Sequence, residues 1–166
     1  EKSLKGFCAY MEFMWNDYNE THLKSIEKLL DKSARRSTGM DDGFKEYYDY
    51  WINEPETKYG ENFWVKVISA DSKTIGIMVI GYAEDSFLIS EYVIAPKMRG
   101  KGIGTKALKE LLNESQAIIG KKIHRAEAVI YPSNTASQKA FEKAGFKYYH
   151  TYEDGDAMEY IYEQRI

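Results

Sequence analysis

The sequence predicts one mixed α/β domain over residues 1–166, with a largely antiparallel sheet and a strand–loop–helix unit at its centre. Three observations lead there. Residues 62–95 hold three consecutive runs rich in β-branched and aromatic residues, NFWVKVISA, TIGIMVIGYA and SFLISEYVIA, separated only by DSK and ED. That is the pattern of an antiparallel meander. Apolar residues at helical spacing flank the meander on both sides. A length of 166 residues and 19.2 kDa suits a single domain able to bury a core of its own.

In chain order, residues 6–14 (GFCAYMEFM) read as a first strand. Asn19 or Thr21 supplies a helix N-cap ahead of Leu23, Ile26, Leu29 and Leu30, an apolar stripe at helical spacing. A second helix is expected over 42–52, ending before Pro55. The three-strand meander follows. Beyond Pro96 a glycine-rich stretch opens a helix with Ala107, Leu108, Leu111, Leu112 and Ile118 on one face. HRAEAVIY (124–131) reads as a strand buried on both sides, and SNTASQKAFEKAGF as a short helix with polar capping residues at its start. Gly145 followed by Phe146 suits a left-handed helix stop with an apolar latch. KYYHTYE and MEYIYEQ close the chain as a hairpin turning at DGD.

Composition narrows the function. Hydrophobic content of 43% and charged content of 30% belong to a globular chain rather than a disordered one. No apolar run approaches the roughly 20 residues that span a bilayer, so no membrane partner is expected. The start, EKSLKGF, has neither a secretory apolar core nor an initiator Met, as at a fragment boundary. Cys8 is the only cysteine; a disulfide within one chain is excluded, and a reducing, cytoplasmic setting is expected. A net charge of −3 argues against nucleic acid, which calls for a broad basic surface. His22, His124 and His150 show no metal-ligand spacing, so no metal is expected.

Residues 94–106, IAPKMRGKGIGTK, place Gly100, Gly102 and Gly104 within a cluster of positive charge. Glycine is costly at a helix start unless the backbone must bend tightly or lie close to something. A Walker loop counted from Gly100 requires a second glycine where Thr105 stands, and the dinucleotide fingerprint fails at the same residue. What survives is a bare glycine turn, or an anion site made of backbone N–H groups at a helix N-terminus beside Lys97, Arg99, Lys101 and Lys106.

Arg99-Gly100-Lys101-Gly102-Ile103-Gly104 resembles the Arg/Gln-x-x-Gly-x-Gly/Ala motif of the GNAT superfamily of N-acetyltransferases, and a strand ending Val93-Ile94-Ala95-Pro96 precedes it as in that family. A second block, Asn134 and then Phe141-Glu142-Lys143-Ala144-Gly145-Phe146, is similar to the family's Asn…Tyr-x3-Gly-Phe helix. The resemblance covers about residues 6–162. It implies the GNAT acyl-CoA N-acyltransferase fold, with acetyl-CoA as cosubstrate held where the strands 86–95 and 123–131 splay apart. It also implies that the backbone of Val93, Ile94 and Ala95 bonds the pantetheine arm like an added strand. The N–H groups from Arg99 through Gly100, Lys101, Gly102, Ile103 and Gly104 to Thr105 would hold the pyrophosphate. Side chains at Gly102 or Gly104 would push the phosphates away, while Arg99 or Lys101 can neutralise them. Asn134 would contact the cofactor or serve as a plain helix N-cap. Phe141 stands beside the cofactor where many members place a tyrosine.

The implied reaction is attack of an amine on a thioester. A backbone N–H near Val93 or Ile94, freed where the strand bulges, can stabilise the oxyanion. Glu91 and Glu127 interrupt apolar strands bordering the cleft and are the candidate bases; each can equally be an outward-facing or salt-bridged strand residue. Glu91 lies two residues before Val93 and shares its side of the sheet. Phe141 has no proton to give, so the acid is unassigned, with Tyr131, Tyr148 and Tyr149 as alternatives to a thiolate that leaves unaided.

The acceptor side follows from charge. Between Asp41 and Glu61 there are seven carboxylates (Asp41, Asp42, Glu46, Asp49, Glu54, Glu56, Glu61) against Lys45 and Lys58, interleaved with Tyr47, Tyr48, Tyr50, Trp51 and Tyr59. Glu153, Asp154, Asp156 and Glu159 form a second acidic stretch. Such a surface suits a cationic amine such as a polyamine, an aminoglycoside or a lysine-bearing peptide, or is simply a solvated amphipathic face. The EKAGF helix and acidic lobes resemble aminoglycoside 6′-N-acetyltransferases. Lys121, Lys122 and Arg125 read as solvated surface or as a hold for the ribose phosphate. The resemblance also allows a homodimer. A non-catalytic acyl-CoA sensor and an interaction module on the same scaffold are the competing classes.

Overall fold

The computed structural model describes residues 10–51 and 62–164. Cys8, Glu54, Pro55, Glu56, Lys58, Tyr59, Glu61 and the start of the expected first strand lie outside them. Among the described residues one seven-stranded sheet runs in the order β1-β2-β3-β4-β5-β7-β6. Its strands are β1 (Met14–Asp17), β2 (Phe63–Ala70), β3 (Lys73–Ala83), β4 (Ser86–Ile94), β5 (Arg125–Ile130), β6 (Lys147–Thr151) and β7 (Met158–Glu163). Every neighbouring pair is antiparallel except β4–β5. The expected mixed α/β meander is therefore present. Its two turns are two-residue hairpins with both residues at positive φ, Asp71 and Ser72 (50° and 63°) and Glu84 and Asp85 (52° and 61°). That geometry matches the right-handed twist of the flanking strands.

Among the described residues six α-helices cover the sheet: α1 (Leu23–Glu27), α2 (Lys32–Thr38), α3 (Phe44–Trp51), α4 (Ile103–Asn113), α5 (Ser115–Ile119) and α6 (Thr135–Lys143). Ile26, Leu29, Leu30, Ala34, Met40, Phe44 and Tyr47 pack on one face against Val65, Val67, Ile77, Val79 and Val93. On the other face Ile103, Leu108, Leu111, Ile119 and Phe141 meet Ile68, Met78, Ile80, Ile89, Ala126 and Tyr160. The α6 end has the expected stop. Gly145 at φ 104° donates to the Glu142 carbonyl, Phe146 N–H to that of Phe141, and the Phe146 and Phe141 rings meet edge-on at 4.9 Å.

Several expectations need correction. The first described strand begins at Met14, later than residues 6–14 suggested. Leu29 and Leu30 keep the helical spacing and are buried, yet the helix breaks there, because Asp31 caps a new one by accepting from Ala34 N–H at 2.9 Å. Ile118 belongs to α5 rather than α4. Strand β5 is not buried on both sides: Ala126, Ala128 and Ile130 are buried in the core, but Val129 is 50% exposed, and among the described residues no β5 side chain joins the cluster on the second face. Tyr47, expected on an acceptor surface, is core, and Tyr48 packs on Tyr18 with the rings tilted and their centroids 4.8 Å apart.

Candidate active site

The parallel pairing of β4 and β5 spans only Phe87↔Ala126 and Leu88↔Glu127. Beyond it the strands part, as expected for 86–95 and 123–131. Val79 faces Glu91 and Ile80 faces Ile89, so Ser90 is an extra residue that bulges β4 at the start of the separation. The bulge thus lies before Val93–Ile94, not at them. From Tyr92 to Ile94 the strand pairs with β3 alone, leaving its other backbone edge open toward a cavity of ≈ 400 Å³. A smaller chamber of ≈ 50 Å³ reaches the bulge and is lined by Ser90, Glu91, Tyr131 and Phe141. Tyr92, Asn134 and Ser137 line both spaces.

The glycine turn stands at the mouth. Gly100 (φ 74°) and Gly102 (φ 81°) take the left-handed conformation, and no atom lies within 4 Å of where a Cβ would stand at either. Gly102 is the N-cap of α4 and supplies no side-chain cap. The first-turn N–H groups of Ile103, Gly104 and Thr105 are therefore unsatisfied donors at the positive end of the helix dipole. Gly104 is glycine for another reason: a Cβ there would overlap the Tyr92 hydroxyl. Gly100, Gly102, Gly104 and Thr105 line the cavity, whereas the Ile103 side chain is core and Lys101 and Ala95 are not among the lining residues. Ala95 N–H is already bonded to the Ile75 carbonyl at 2.8 Å.

Arg99 is engaged as well. Its Nε donates to the Ile94 carbonyl at 2.9 Å, and its guanidinium spans both Asp31 oxygens at 2.7 and 3.2 Å. The Arg99 hydrogen bond, with the Ala34 N–H behind it, holds the Asp31 carboxyl below its ordinary range. This pair ties the start of α2 to the glycine turn, so Ser33, Ala34 and Ser37 form a wall of the cavity. Asn134 is the N-cap of α6, its Oδ1 accepting from Ser137 N–H at 3.2 Å, and it borders both spaces.

The two candidate bases separate. Val79, opposite Glu91, and Ile77, opposite Val93, both pack into the core against α1–α3, so Glu91 shares Val93's side of the sheet as expected. Burial pushes its carboxyl from 4.5 up to about 9, and no described side chain bonds to it. Glu127 does not line either space; it accepts from Arg125 at 3.0 Å. Tyr148 bonds Thr151 and Tyr149 is exposed, which leaves Tyr131 as the only one of the three suggested tyrosines at the chamber. Tyr92 was missed by reading the sequence. It abuts Phe141 edge-on at 5.7 Å, and burial pushes its hydroxyl to about 12. The one signal for it was Gly104, whose missing side chain makes room for a neighbour. Among the described residues no group of His, Cys, Asp and Glu could hold a metal ion, and no helix is long and apolar enough to cross a membrane.

Solved structures share this architecture. Aminoglycoside acetyltransferase AAC(6′)-Ib in complex with coenzyme A and kanamycin superposes with a TM-score of 0.69 at 17% identity, over 92% of this chain and 95% of that one. Spermidine N-acetyltransferase from Vibrio cholerae, in complex with CoA and spermine, gives a TM-score of 0.69 at 17% identity, with the same coverage, 92% and 95%. A domain from Methanocaldococcus jannaschii gives 0.71 at 18% identity, over 92% and 98%. No curated protein sequence matches the chain. At such low identity these structures bear on the fold, while the family model for the acetyltransferase (GNAT) domain matches residues 10–147. The chain belongs to the GNAT acetyltransferase family.

Proposed function

We propose that this chain, as a single domain, moves the acetyl group of acetyl-CoA onto a cationic primary amine by direct attack. The observation that carries the reading is the split between β4 and β5, with bare helix-start N–H groups at its mouth and Glu91 at its depth. The cofactor supplies an acetyl group activated as a thioester. The N–H groups of Ile103, Gly104 and Thr105 take the pyrophosphate at the helix N-terminus. The open edge of β4 at Tyr92–Ile94 pairs with the pantetheine amides, and the Asn134 amide nitrogen, free of the capping bond, adds a donor. Arg99 braces the turn and α2 through Ile94 and Asp31, so it acts on the phosphates mainly by position. Backbone N–H at the Ser90 bulge, next to the chamber, is the donor for the developing oxyanion.

Glu91 is the proton acceptor. At neutral pH burial holds it as the neutral acid. A substrate ammonium beside it favours the carboxylate, drives its proton to solvent and forms an ion pair. The carboxylate first takes the ammonium proton, directly or through a water. The free amine then attacks the thioester carbon, and the tetrahedral adduct expels the thiolate and gives its second N–H proton to that thiolate or to solvent. A thiolate with a pKa near ~8.5 leaves without an acid, which accommodates Phe141. Glu127, held by Arg125, has no part. We assign the acceptor side to exposed aromatic and acidic residues, Tyr50, Trp51 and Tyr131 with Asp154 and Asp156. An aminoglycoside or a polyamine fits it, and kanamycin and spermine in the solved relatives support that class.

The test has two stages. Acetyl-CoA should raise the melting temperature, since a ligand that binds only the native state stabilises it; no shift at millimolar acetyl-CoA would sink the reading. Release of free coenzyme A, followed with a thiol reagent, should then be stimulated by aminoglycosides or polyamines. If no amine stimulates release, the second reading, an acyl-CoA sensor for which Phe141 argues, takes its place.

A further inference from the structure

The charge on the cavity walls is not where the glycine motif suggests. Arg99 is matched by Asp31, and Lys97 and Lys101 are not among the lining residues. The chain is net acidic at −3, yet no carboxylate lines the ≈ 400 Å³ cavity. Two other cations do. Lys139 and Lys143, both exposed, stand four residues apart on the same face of α6. Among the described residues neither pairs with a carboxylate; the adjacent Glu142 accepts from the Tyr160 hydroxyl instead, at 3.4 Å. Two unpaired ammonium groups one turn apart repel each other unless an anion lies between them. The wall they share with Ser137 is therefore set for a compact, strongly charged anion, and the α4 N-terminus provides a separate place for another.

We propose that Lys139 and Lys143 form a second phosphate subsite that takes the phosphomonoester on the ribose of coenzyme A. The chain thereby prefers coenzyme A to its 3′-dephospho form. This rests on the acetyl-CoA reading above. The pyrophosphate is a diester that N–H groups of the glycine turn can hold, whereas a phosphomonoester carries about −1.5 to −2 at neutral pH. Two ammonium groups, each a compact point charge on a flexible stem at an exposed wall, can close on such a charge together.

Isothermal titration of the whole chain with coenzyme A and with 3′-dephospho-coenzyme A, at pH 7.5 and low salt, tests it. The wild type should bind coenzyme A roughly tenfold more tightly, a gap that narrows with added salt and below about pH 6, where the monoester gains a proton. The double variant Lys139→Gln/Lys143→Gln should bring the two affinities together while leaving that for the dephospho form within about twofold. Lys139→Arg/Lys143→Arg should keep most of the preference. Equal binding of both ligands by the wild type overturns the subsite alone. So does a double variant that keeps the preference, or one that weakens both ligands alike, which would put the lysines on the pyrophosphate. Binding of neither ligand overturns the acetyl-CoA reading and the subsite together. Unchanged melting temperatures of the variants exclude misfolding as the cause.

Discussion

Glu91→Gln should make the protein more stable and less active, and the gain in stability should depend on pH in one direction only. Glu91 has no described partner, and burial lifts its carboxyl from 4.5 to about 9. Between those values the unfolded chain has lost the proton that the native chain keeps. The native state then binds more protons, so stability falls as pH rises through this window. Each pH unit costs about 1.4 kcal/mol, which reaches at most ~3 kcal/mol by pH 7. Glutamine has no proton to lose and a similar shape. The difference between variant and wild type should be near zero at pH 4.5 and grow steadily to pH 8. For a domain of this size about 3 kcal/mol corresponds to roughly 6–12 °C in melting temperature, easily read by differential scanning fluorimetry across a buffer series. The same variant should lose acetyl transfer most where the wild-type carboxyl is ionised beside the ammonium, and the loss should shrink at low pH, where the wild-type carboxyl is itself protonated. A melting difference that is flat between pH 5 and 8 would refute the buried neutral carboxyl, and an unchanged pH–rate profile would refute the base.

Other expectations follow from the contacts. Gly104→Ala should destabilise by about 1–3 kcal/mol through overpacking, because its methyl group meets the Tyr92 hydroxyl; Tyr92→Phe should recover part of the loss, and strict additivity in chemical denaturation would contradict the contact. Asp31→Ala should cost about 1 kcal/mol from the lost α2 cap and weaken acetyl-CoA binding by releasing α2 from Arg99. Asp31→Asn should keep the cap and lose only the ionic tie, which in the wild type is present above the ordinary carboxylate value of 3.8 and fades as pH falls below it. Asp71→Asn combined with Ser72→Gly places residues that tolerate positive φ where 50° and 63° are required. It should add about 1 kcal/mol, or ~2–4 °C, and a lower melting temperature would contradict the turn assignment.

The sequence alone determined the meander, the closing hairpin and the succession of elements along the chain, because apolar runs, two-residue turns and a Gly-Phe helix stop are local signals. The place of β7 between β5 and β6 came only with the tertiary structure. It also determined the glycine turn and Asn134, since left-handed φ and capping are properties of single residues and their neighbours. Glu91 was legible as an acid interrupting an apolar strand. What the sequence could not decide was which charges meet. Arg99 was read as a phosphate ligand, but its partner Asp31 is 68 residues away in the chain; Glu127 looked equivalent to Glu91 until Arg125 took it. Tyr92 emerged only from the close approach of β4 to α4, and Lys139 and Lys143 only once α6 lay along a wall free of carboxylates. Local backbone preference is written residue by residue, whereas desolvation and ion pairing depend on distances that exist only after the helices have packed.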